Sequence, residues 1–278
     1  MKTLLVLAWI CLLHHTAITQ TIIKIAGSET MKDMLEELSK EYKKIKPNVD
    51  ILVSGGHTER GLQQILAGEV DLCAISKAPS GNFIAELKAK YNTNGVKIAI
   101  AMECIGVFVH NQNRVNQLTA EQIAGIYSGE IKNWKELSGE DKPILAARLP
   151  DESGTCQFFK NRIMGGQDYD TSIIVKNNSA QITEWISKNP NGIAFGRLVD
   201  KKPTIKAISI KDYHQSSYVE PTLNNLKNNT YPLSRQLFLF SIKEPQGEVK
   251  EFIEWITQKE TQKLVTKYGF YPVIEGIF

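Results

Sequence analysis

Residues 22–28 read IIKIAGS, a short apolar strand pattern that ends in a glycine and a hydroxyl residue. Apolar side chains at helical spacing follow over residues 30–44, and further strand patterns stand at residues 49–53 and 70–75 with a second helix between them. The run at 70–75 is largely apolar, which is typical of a buried parallel strand. This β-α-β-α-β alternation predicts a parallel sheet with right-handed crossovers, flanked by helices.

A hydroxyl residue follows each of the three predicted strands, at Ser28, Ser54 and Ser76. Parallel strands end at one edge of a sheet, and ligands of open α/β folds bind beyond that edge. Each serine alone is an ordinary cap or turn residue. Three in register favour a shared polar site, to which Lys77 can add charge.

Two stretches, residues 97–110 and 233–242, are longer than an ordinary strand of about five or six residues. A second α/β unit lies between them, with strands predicted at residues 144–147, 173–175 and 192–196. We therefore expect the two long strands to cross between two lobes that enclose a cleft and a hinge.

The chain then divides into lobe 1, residues 20–105 with residues 235–278, and lobe 2, residues 106–234. Each lobe is expected to contain a mainly parallel sheet flanked by helices. We expect the protein to be a monomer.

A motif in lobe 2 repeats the pattern of hydroxyl and glycine before a helix. Residues 151–155 read DESGT, and an amphipathic run follows, so a helix is predicted to begin at Ser153 or Thr155. The first amides of a helix have no internal partner and lie at the positive end of its dipole, so they suit an anion. Arg148 can add charge. The alternative is that Ser153 is only an N-cap.

The start of the chain has the pattern of a cleaved secretory signal over residues 1–19. Lys2 is followed by an apolar run at residues 4–13, about half of the roughly 20 residues that span a bilayer. Cys11 does not follow a small residue, which argues against a lipid anchor. Loss of Lys2 changes the formal net charge from +3 to +2, too little to suggest nucleic acid as a partner. We expect a soluble periplasmic protein.

Three cysteines remain beyond the predicted signal, namely Cys73, Cys104 and Cys156. An odd number in an exported protein allows one disulfide and one free thiol. Cys73 and Cys104 both fall in predicted strands of the first half of the chain, so they are the favoured pair. Neither a metal nor a cofactor is expected, because no spacing of Cys and His is typical of a zinc site.

Seven segments, in this order, resemble the family of extracytoplasmic phosphate-binding proteins that serve the high-affinity phosphate ABC importer. They are residues 27–31 (GSETM), 54–56 (SGG), 70–77 (VDLCAISK), 118–134 (ending IYSGEIKNW), 153–155 (SGT), 231–235 (YPLSR) and 268–272 (YGFYP). The resemblance covers nearly the whole mature chain. It implies the two-lobed fold of type 2 periplasmic binding proteins, capture of inorganic phosphate by hinge closure, and delivery to a membrane permease.

The resemblance also implies a set of phosphate contacts. They are Ser28, Thr30, Met31, Ser54, Ser76, Lys77, Arg148, Ser153, Gly154 and Thr155, with Thr30 and Met31 acting partly through backbone amides. Asn178 and Ser179 are weaker candidates. Residues 231–235 are interpreted as hinge structure.

Two departures from the family pattern bear on the site. Some members have an aspartate at the position of Lys77, which accepts a hydrogen bond from protonated phosphate and so rejects sulfate, whereas others carry a basic residue there. Arg148 stands one residue further from Ser153 than the family arginine does. The acids that can replace the aspartate are Glu29, Glu59, Asp151 and Glu152. Another tetrahedral oxyanion, such as sulfate or arsenate, therefore remains an alternative ligand.

Two other classes of function are alternatives for this sequence. In an enzyme, Ser153 with His57 as its base, or the Cys156 thiol, would be the nucleophile. The chain has no strand-flanked G-x-S-x-G motif and His57 has no orienting acid at a known spacing, so catalysis is not expected. A sensor or surface protein on the same scaffold is the other alternative, since a fold does not determine a function.

Overall fold

The structure, a computed structural model, describes residues 20–151 and 153–273. The predicted signal, residues 1–19, and Glu152 lie outside the described residues. The helices and strands are, in chain order, β1 (Thr21–Gly27), α1 (Glu29–Ile45), β2 (Val49–Ser54), α2 (His57–Ala67), β3 (Leu72–Ile75), α3 (Gly81–Tyr91), β4 (Val96–His110), β5 (Gln117–Thr119), α4 (Ala120–Ser128), β6 (Leu145–Arg148), α5 (Gly154–Ile163), β7 (Ile174–Val175), α6 (Ser179–Lys188), β8 (Gly192–Arg197), β9 (Ile205–Ala207), β10 (Ser209–Lys211), α7 (Leu223–Lys227), β11 (Ser234–Ser241), α8 (Gly247–Ile256) and α9 (Lys259–Lys267).

The first unit of the fold is the predicted β-α-β-α-β arrangement. β1 lies between β2 and β3 and is parallel to both, with Ala26 opposite Ser54 and Gly27 opposite Ala74. The three strands therefore end at the same edge of the sheet. α1 covers one face of this sheet with an apolar stripe at helical spacing, in which Met31 and Leu35 are buried.

β4 is shared by both halves of one nine-stranded sheet, whose order is β2-β1-β3-β11-β4-β8-β6-β7 with β9 also on β4. Residues 96–104 of β4 pair with β11, whereas residues 105–109 pair with β8. The predicted crossing strand at residues 97–110 is therefore present. The partner of β4 changes from β11 to β8 between Cys104 and Ile105.

The second crossing is shorter than the sequence suggested. β11 begins at Ser234 and pairs with β3 and with the first part of β4, so the strand itself lies in lobe 1. The chain crosses just before it, where the backbone N–H of Ile105 donates to the carbonyl of Leu233 at 2.9 Å. The buried Tyr231 hydroxyl donates to the carbonyl of Ile105 at 3.1 Å and fixes this crossing to β4.

The hydrophobic core is divided in the same way as the sheet. One cluster of buried side chains draws on residues 104–233, and a second draws on residues 23–101 and 237–270. Phe159 on α5 stacks on Phe195 of β8 with ring centroids 3.7 Å apart, which ties α5 to the lobe 2 sheet. Each fully buried aromatic or aliphatic side chain of this kind stabilises the fold by about 1.5–3 kcal/mol. A third, smaller cluster draws on residues 62–87 and Phe240.

Some elements differ from the sequence-based expectations. α3 was not predicted, because only Phe83 and Leu87 of this helix are buried and its apolar stripe is narrow. Residues 205–211 form two short strands, and the second of them, β10, leaves the main sheet to pair with β5.

The predicted disulfide between Cys73 and Cys104 is wrong. Both residues and Cys156 are buried and free. Cys73 packs in a small cluster with residues of α2 and α3, whereas Cys104 belongs to the cluster drawn from residues 104–233, so they lie in different parts of the interior. Burial raises the pKa of the Cys73 thiol to about 12 and also raises the pKa of Cys104. Within residues 20–151 and 153–273, we find neither a helix suited to span a membrane nor a group of metal-ligating side chains.

Candidate functional site

The start of α1 is placed by the edge of the lobe 1 sheet. Gly27 has φ +137°, and a Cβ atom there would lie 2.3 Å from the Ala74 carbonyl oxygen, so only glycine fits between β1 and β3. The Ser28 amide donates to that carbonyl at 2.8 Å. Ser28 is the N-cap residue and is buried, but its side chain makes no capping hydrogen bond. Its hydroxyl is therefore available to a ligand.

The start of α5 is capped by its own serine. The Cys156 amide donates to the Ser153 hydroxyl oxygen at 3.4 Å, so Ser153 is an N-cap, as the simpler interpretation proposed. Gly154 follows and lies directly against α1, since a Cβ atom on it would be 2.0 Å from the Thr30 hydroxyl oxygen. The positive ends of two helix dipoles, one from each lobe, thus face each other.

A cavity of about 510 Å³ opens beside this contact. It is lined by Ser28, Glu29, Thr30, His57, Thr58, Glu59, Ser76, Lys77, Gly154, Gln157, Phe158, Asn161 and Arg235. A second cavity of about 350 Å³ shares Glu29, Thr30 and Gly154 with the first and extends to Ser153, Thr155, Asn178 and Ser179. The residues shared by the two cavities come from α1 and α5, so the space between the lobes is built around these two helix starts.

Arg235, the second residue of β11, brings a partly buried cation to the first cavity. Its Nε donates to Glu103 Oε2 at 2.8 Å, and its Nη2 lies 2.7 Å from the same oxygen. Nη1 donates to the Ser76 carbonyl at 3.2 Å, and Nη2 lies 3.4 Å from the Thr30 hydroxyl oxygen. The guanidinium carbon is 4.3 Å from the centre of the Phe158 ring on α5, so the arginine contacts both lobes.

Glu103 is the anion that holds this arginine. It is fully buried on β4, and its second oxygen accepts a hydrogen bond from the Thr155 hydroxyl at 2.8 Å. Thr155 belongs to α5, so one carboxylate joins the start of the lobe 2 helix to the arginine of β11. A carboxylate buried in this way is tolerated because it is paired with a cation and accepts hydrogen bonds at both oxygens.

The family model described as a PBP superfamily domain matches residues 14–260. This match covers well over half of the chain. The chain belongs to the PBP superfamily.

Similar proteins include two that carry the name Phosphate-binding protein PstS. The protein of Pseudomonas aeruginosa is 25% identical over 263 residues, covering 89% of this chain and 81% of that protein. The protein of Bacillus subtilis is 28% identical over 258 residues, covering 91% of this chain and 81% of that protein.

Solved structures of the same architecture also match. A putative phosphate ABC transporter substrate-binding protein from Clostridium perfringens, solved with bound phosphate, has a TM-score of 0.65 and 26% identity, and the match covers 91% of this chain and 100% of that one. An ABC-type phosphate transport receptor from Vibrio cholerae has a TM-score of 0.78 at 24% identity over 90% of this chain and 99% of that one. The second match supports the fold alone.

In this PBP superfamily chain, most of the residues predicted from the sequence lie together. Those that line one or both cavities are Ser28, Thr30, Ser76, Lys77, Ser153, Gly154 and Thr155, together with the weaker candidates Asn178 and Ser179. Met31 is buried in the core of lobe 1, and the exposed Ser54 directs its hydroxyl to the Ile25 carbonyl at 3.4 Å. Neither lines these cavities, and their role as contacts stays a prediction.

Arg148 is also placed away from the two cavities. Its guanidinium donates to both oxygens of Asp151, at 2.9 and 3.2 Å, and to the Leu149 carbonyl at 3.0 Å. It stacks over the Tyr169 ring at 4.6 Å, and its Nε is buried without a hydrogen-bond partner. This arginine supports the loop before α5 in the structure, and its predicted contact with the ligand is untested.

The acids considered as replacements for the family aspartate have different partners. Glu29 lines both cavities and accepts a hydrogen bond from the Gly56 amide at 3.0 Å. Glu59 lines the first cavity and forms an ion pair with Lys77. Burial alone would raise the pKa of Glu59, but the hydrogen bond and charge of Lys77 outweigh it and lower that pKa. Glu152 lies outside the described residues.

The residues of the enzymatic alternative line different cavities or have other partners. His57 lines the first cavity, whereas Ser153 lines the second. The Cys156 thiol is buried and directed at the Tyr169 hydroxyl at 3.5 Å, and burial raises its pKa.

Arg235 and Glu103 form a charged pair of the site that the sequence did not reveal. Arg235 was assigned to the hinge with the rest of residues 231–235. Glu103 had a visible signal, since it is the one acid in the apolar stretch AIAMECIGVFV, residues 99–109. A charged residue inside such a strand is buried only with a partner.

Proposed function

We propose that this protein is an extracytoplasmic receptor that binds inorganic phosphate between its lobes and delivers it to the membrane permease of an ABC importer. Membership of the PBP superfamily and the names of its relatives support this proposal. The match to the phosphate-bound Clostridium perfringens protein supports the choice of ligand. We propose that the receptor is a periplasmic monomer without catalytic activity.

The observation that carries the proposal is the approach of α1 and α5 through Thr30 and Gly154, with Arg235 beside them. Each helix start carries about half a positive charge, so the two helix starts repel each other when the space between them is empty. An anion between them removes this repulsion. Backbone amides and hydroxyl groups offer many directed hydrogen bonds, which suit a tetrahedral oxyanion and require no metal.

The proposed contacts that line the cavities are Ser28, Thr30, Ser76, Ser153, Gly154 and Thr155, and Lys77 adds charge at the edge. We further propose lobe boundaries at residues 20–105 with 235–278 and at residues 106–234. Support for this division comes from the change of strand partner after Cys104. The two separate cores on either side of it add further support.

The first experiment is calorimetric titration of the mature, ligand-stripped protein with phosphate and then sulfate, at two pH values on either side of neutrality. We expect tight binding of phosphate and no heat from sulfate. The variant Thr155→Leu places a bulky apolar side chain in the cleft and should abolish binding, with folding checked by thermal unfolding. Normal binding of phosphate by this variant would show that the proposed site is misplaced. Equal binding of both anions would favour a general oxyanion receptor.

A further inference from the structure

We propose that Arg235 is the cation that contacts the bound anion and that Glu103 positions it. This inference rests on the proposed function and deepens it, because it concerns the charge of the same site. The sequence pointed to Arg148 for this role, whereas the structure places Arg235 in the cavity.

The exposure of the charged pair indicates which partner faces the ligand. The side chain of Glu103 is 1% exposed and that of Arg235 is 15% exposed. The carboxylate is thus enclosed by protein, and the accessible part of the pair is the guanidinium that lines the cavity. In the first cavity, whose lining includes Arg235 but not Glu103, an anion meets the cation. Glu103 borders the second cavity with only 1% of its side chain exposed.

The guanidinium is also within reach of both helix starts. Its Nη2 lies 3.4 Å from the hydroxyl oxygen of Thr30, which is in contact distance of Gly154 on α5. A tetrahedral anion bound to the first amides of α1 or α5 therefore comes within hydrogen-bonding distance of Nη1 or Nη2. The N–H of Nε and one N–H of Nη2 face Glu103, and one N–H of Nη1 donates to the Ser76 carbonyl. The second N–H of Nη1, and the N–H of Nη2 that faces Thr30, are the donors left for the anion.

Glu103 fixes the arginine and the start of α5 to each other. It accepts from Nε of Arg235 at 2.8 Å and from the Thr155 hydroxyl at 2.8 Å. Since the Thr155 hydroxyl proton points at Glu103, the backbone N–H of Thr155 is the group left to bind the anion. Glu103 thus acts on the ligand through Arg235 and Thr155, and we describe it as a positioning residue.

The test compares phosphate titrations of the mature protein and its variants. Arg235→Gln alone leaves Glu103 buried without a cation and can impair folding, so the double variant R235Q/E103Q, which removes both charges, is measured beside it. We expect both to bind phosphate on the order of tenfold to a hundredfold more weakly, the range for loss of a charge-assisted hydrogen bond. R235K keeps the charge without the guanidinium and should lie between these variants and the wild type. Arg114→Gln, which removes an exposed arginine of lobe 2 paired with Glu140, is the matched control and should bind normally.

Glu103→Gln tests the positioning role. It should weaken phosphate binding while Arg235 is present and have no further effect in the Arg235→Gln background, because the two residues act as one group. Unchanged or tighter phosphate binding by E103Q would contradict the positioning role. So would a double variant whose loss of affinity equals the two single losses multiplied together.

The outcomes of the two proposals are separate. Wild-type protein that does not bind phosphate contradicts the proposed function. Wild-type protein that binds, together with a folded R235Q/E103Q variant of equal affinity, contradicts the role of Arg235 and leaves the function standing. Variants that unfold at lower temperature but keep full affinity would likewise limit Arg235 to a structural role and overturn the inference.

Discussion

A Cβ atom on Gly154 would lie 2.0 Å from the hydroxyl oxygen of Thr30, across the space between the two lobes. The start of α5 can reach the start of α1 only because this residue has no side chain. The glycine is needed for this close approach, since its backbone has no positive φ that would itself require one.

Gly154→Ala should therefore weaken phosphate binding while leaving the fold intact. Relief of such a clash typically costs about 1–3 kcal/mol, which corresponds to a roughly five- to 150-fold increase in Kd. The measurement is calorimetric titration with phosphate. Gly81→Ala is the matched control, because it also lies at the start of a helix, has no positive φ and has no atom within 4 Å of the added Cβ. Equal affinities of the two variants would mean that the lobes need not approach through Gly154.

Glu29→Gln should reduce the discrimination between phosphate and sulfate. Among the described residues, Glu29 is the one of the four candidate acids that lines both cavities. A carboxylate can only accept hydrogen bonds, so it favours an oxyanion that still carries a proton. An amide at this position can donate to fully deprotonated sulfate. Competition titrations at pH 7 should show a higher ratio of sulfate to phosphate affinity. Glu37→Gln, on the same helix and paired with Lys40, should leave the ratio unchanged.

Lys77→Gln should have a small effect on affinity. Lys77 and Glu59 form an ion pair in which both side chains are about 60% exposed, 61% and 62% respectively, so solvent screens their charges. We expect a two- to fivefold weaker affinity, on the order of the roughly 0.2–1 kcal/mol typical of exposed pairs. Glu59→Gln, which frees Lys77, should change the affinity in the opposite direction. A loss as large as that expected for Arg235→Gln would assign Lys77 a direct contact.

The buried thiols predict a decline in stability at alkaline pH. The pKa of Cys73 is raised by burial from 9.0 to about 12, so the folded state holds the proton while the unfolded chain releases it. The resulting contribution to stability is complete below about pH 9 and is lost as the pH rises towards 12, by up to about 1.4 kcal/mol for each pH unit. Urea denaturation between pH 8 and pH 11 should show a weaker pH dependence for Cys73→Ala than for the wild type. Parallel curves for the two proteins would argue against a raised pKa at Cys73.

The sequence predicted the parts of this protein that depend on local pattern. The period of apolar residues located α1. Ser28, Ser76 and Ser153 were correctly placed at helix starts or strand ends, because parallel strands end at one edge.

The charged pair of the site could not be predicted in the same way. Arg235 and Glu103 are 132 residues apart in the chain, and nothing local to either residue identifies the other. Their contact depends on the antiparallel register of β11 and β4, in which Arg235 lies opposite Glu103. Arg148 fitted the family motif better than Arg235. In the structure its guanidinium is paired with Asp151, three residues further along the chain, and does not line the cavities.

β4 carries residues of both lobes in one continuous strand, and its partner changes from β11 to β8 immediately after Cys104. A rotation that opens the cleft therefore bends the chain next to Glu103. Displacement grows with distance from the axis of a rotation, so atoms beside Glu103 move least and atoms at the tips of the lobes move most. A small rotation where the chain crosses next to the charged pair would therefore move the outer surface of each lobe much further than it moves the pair itself.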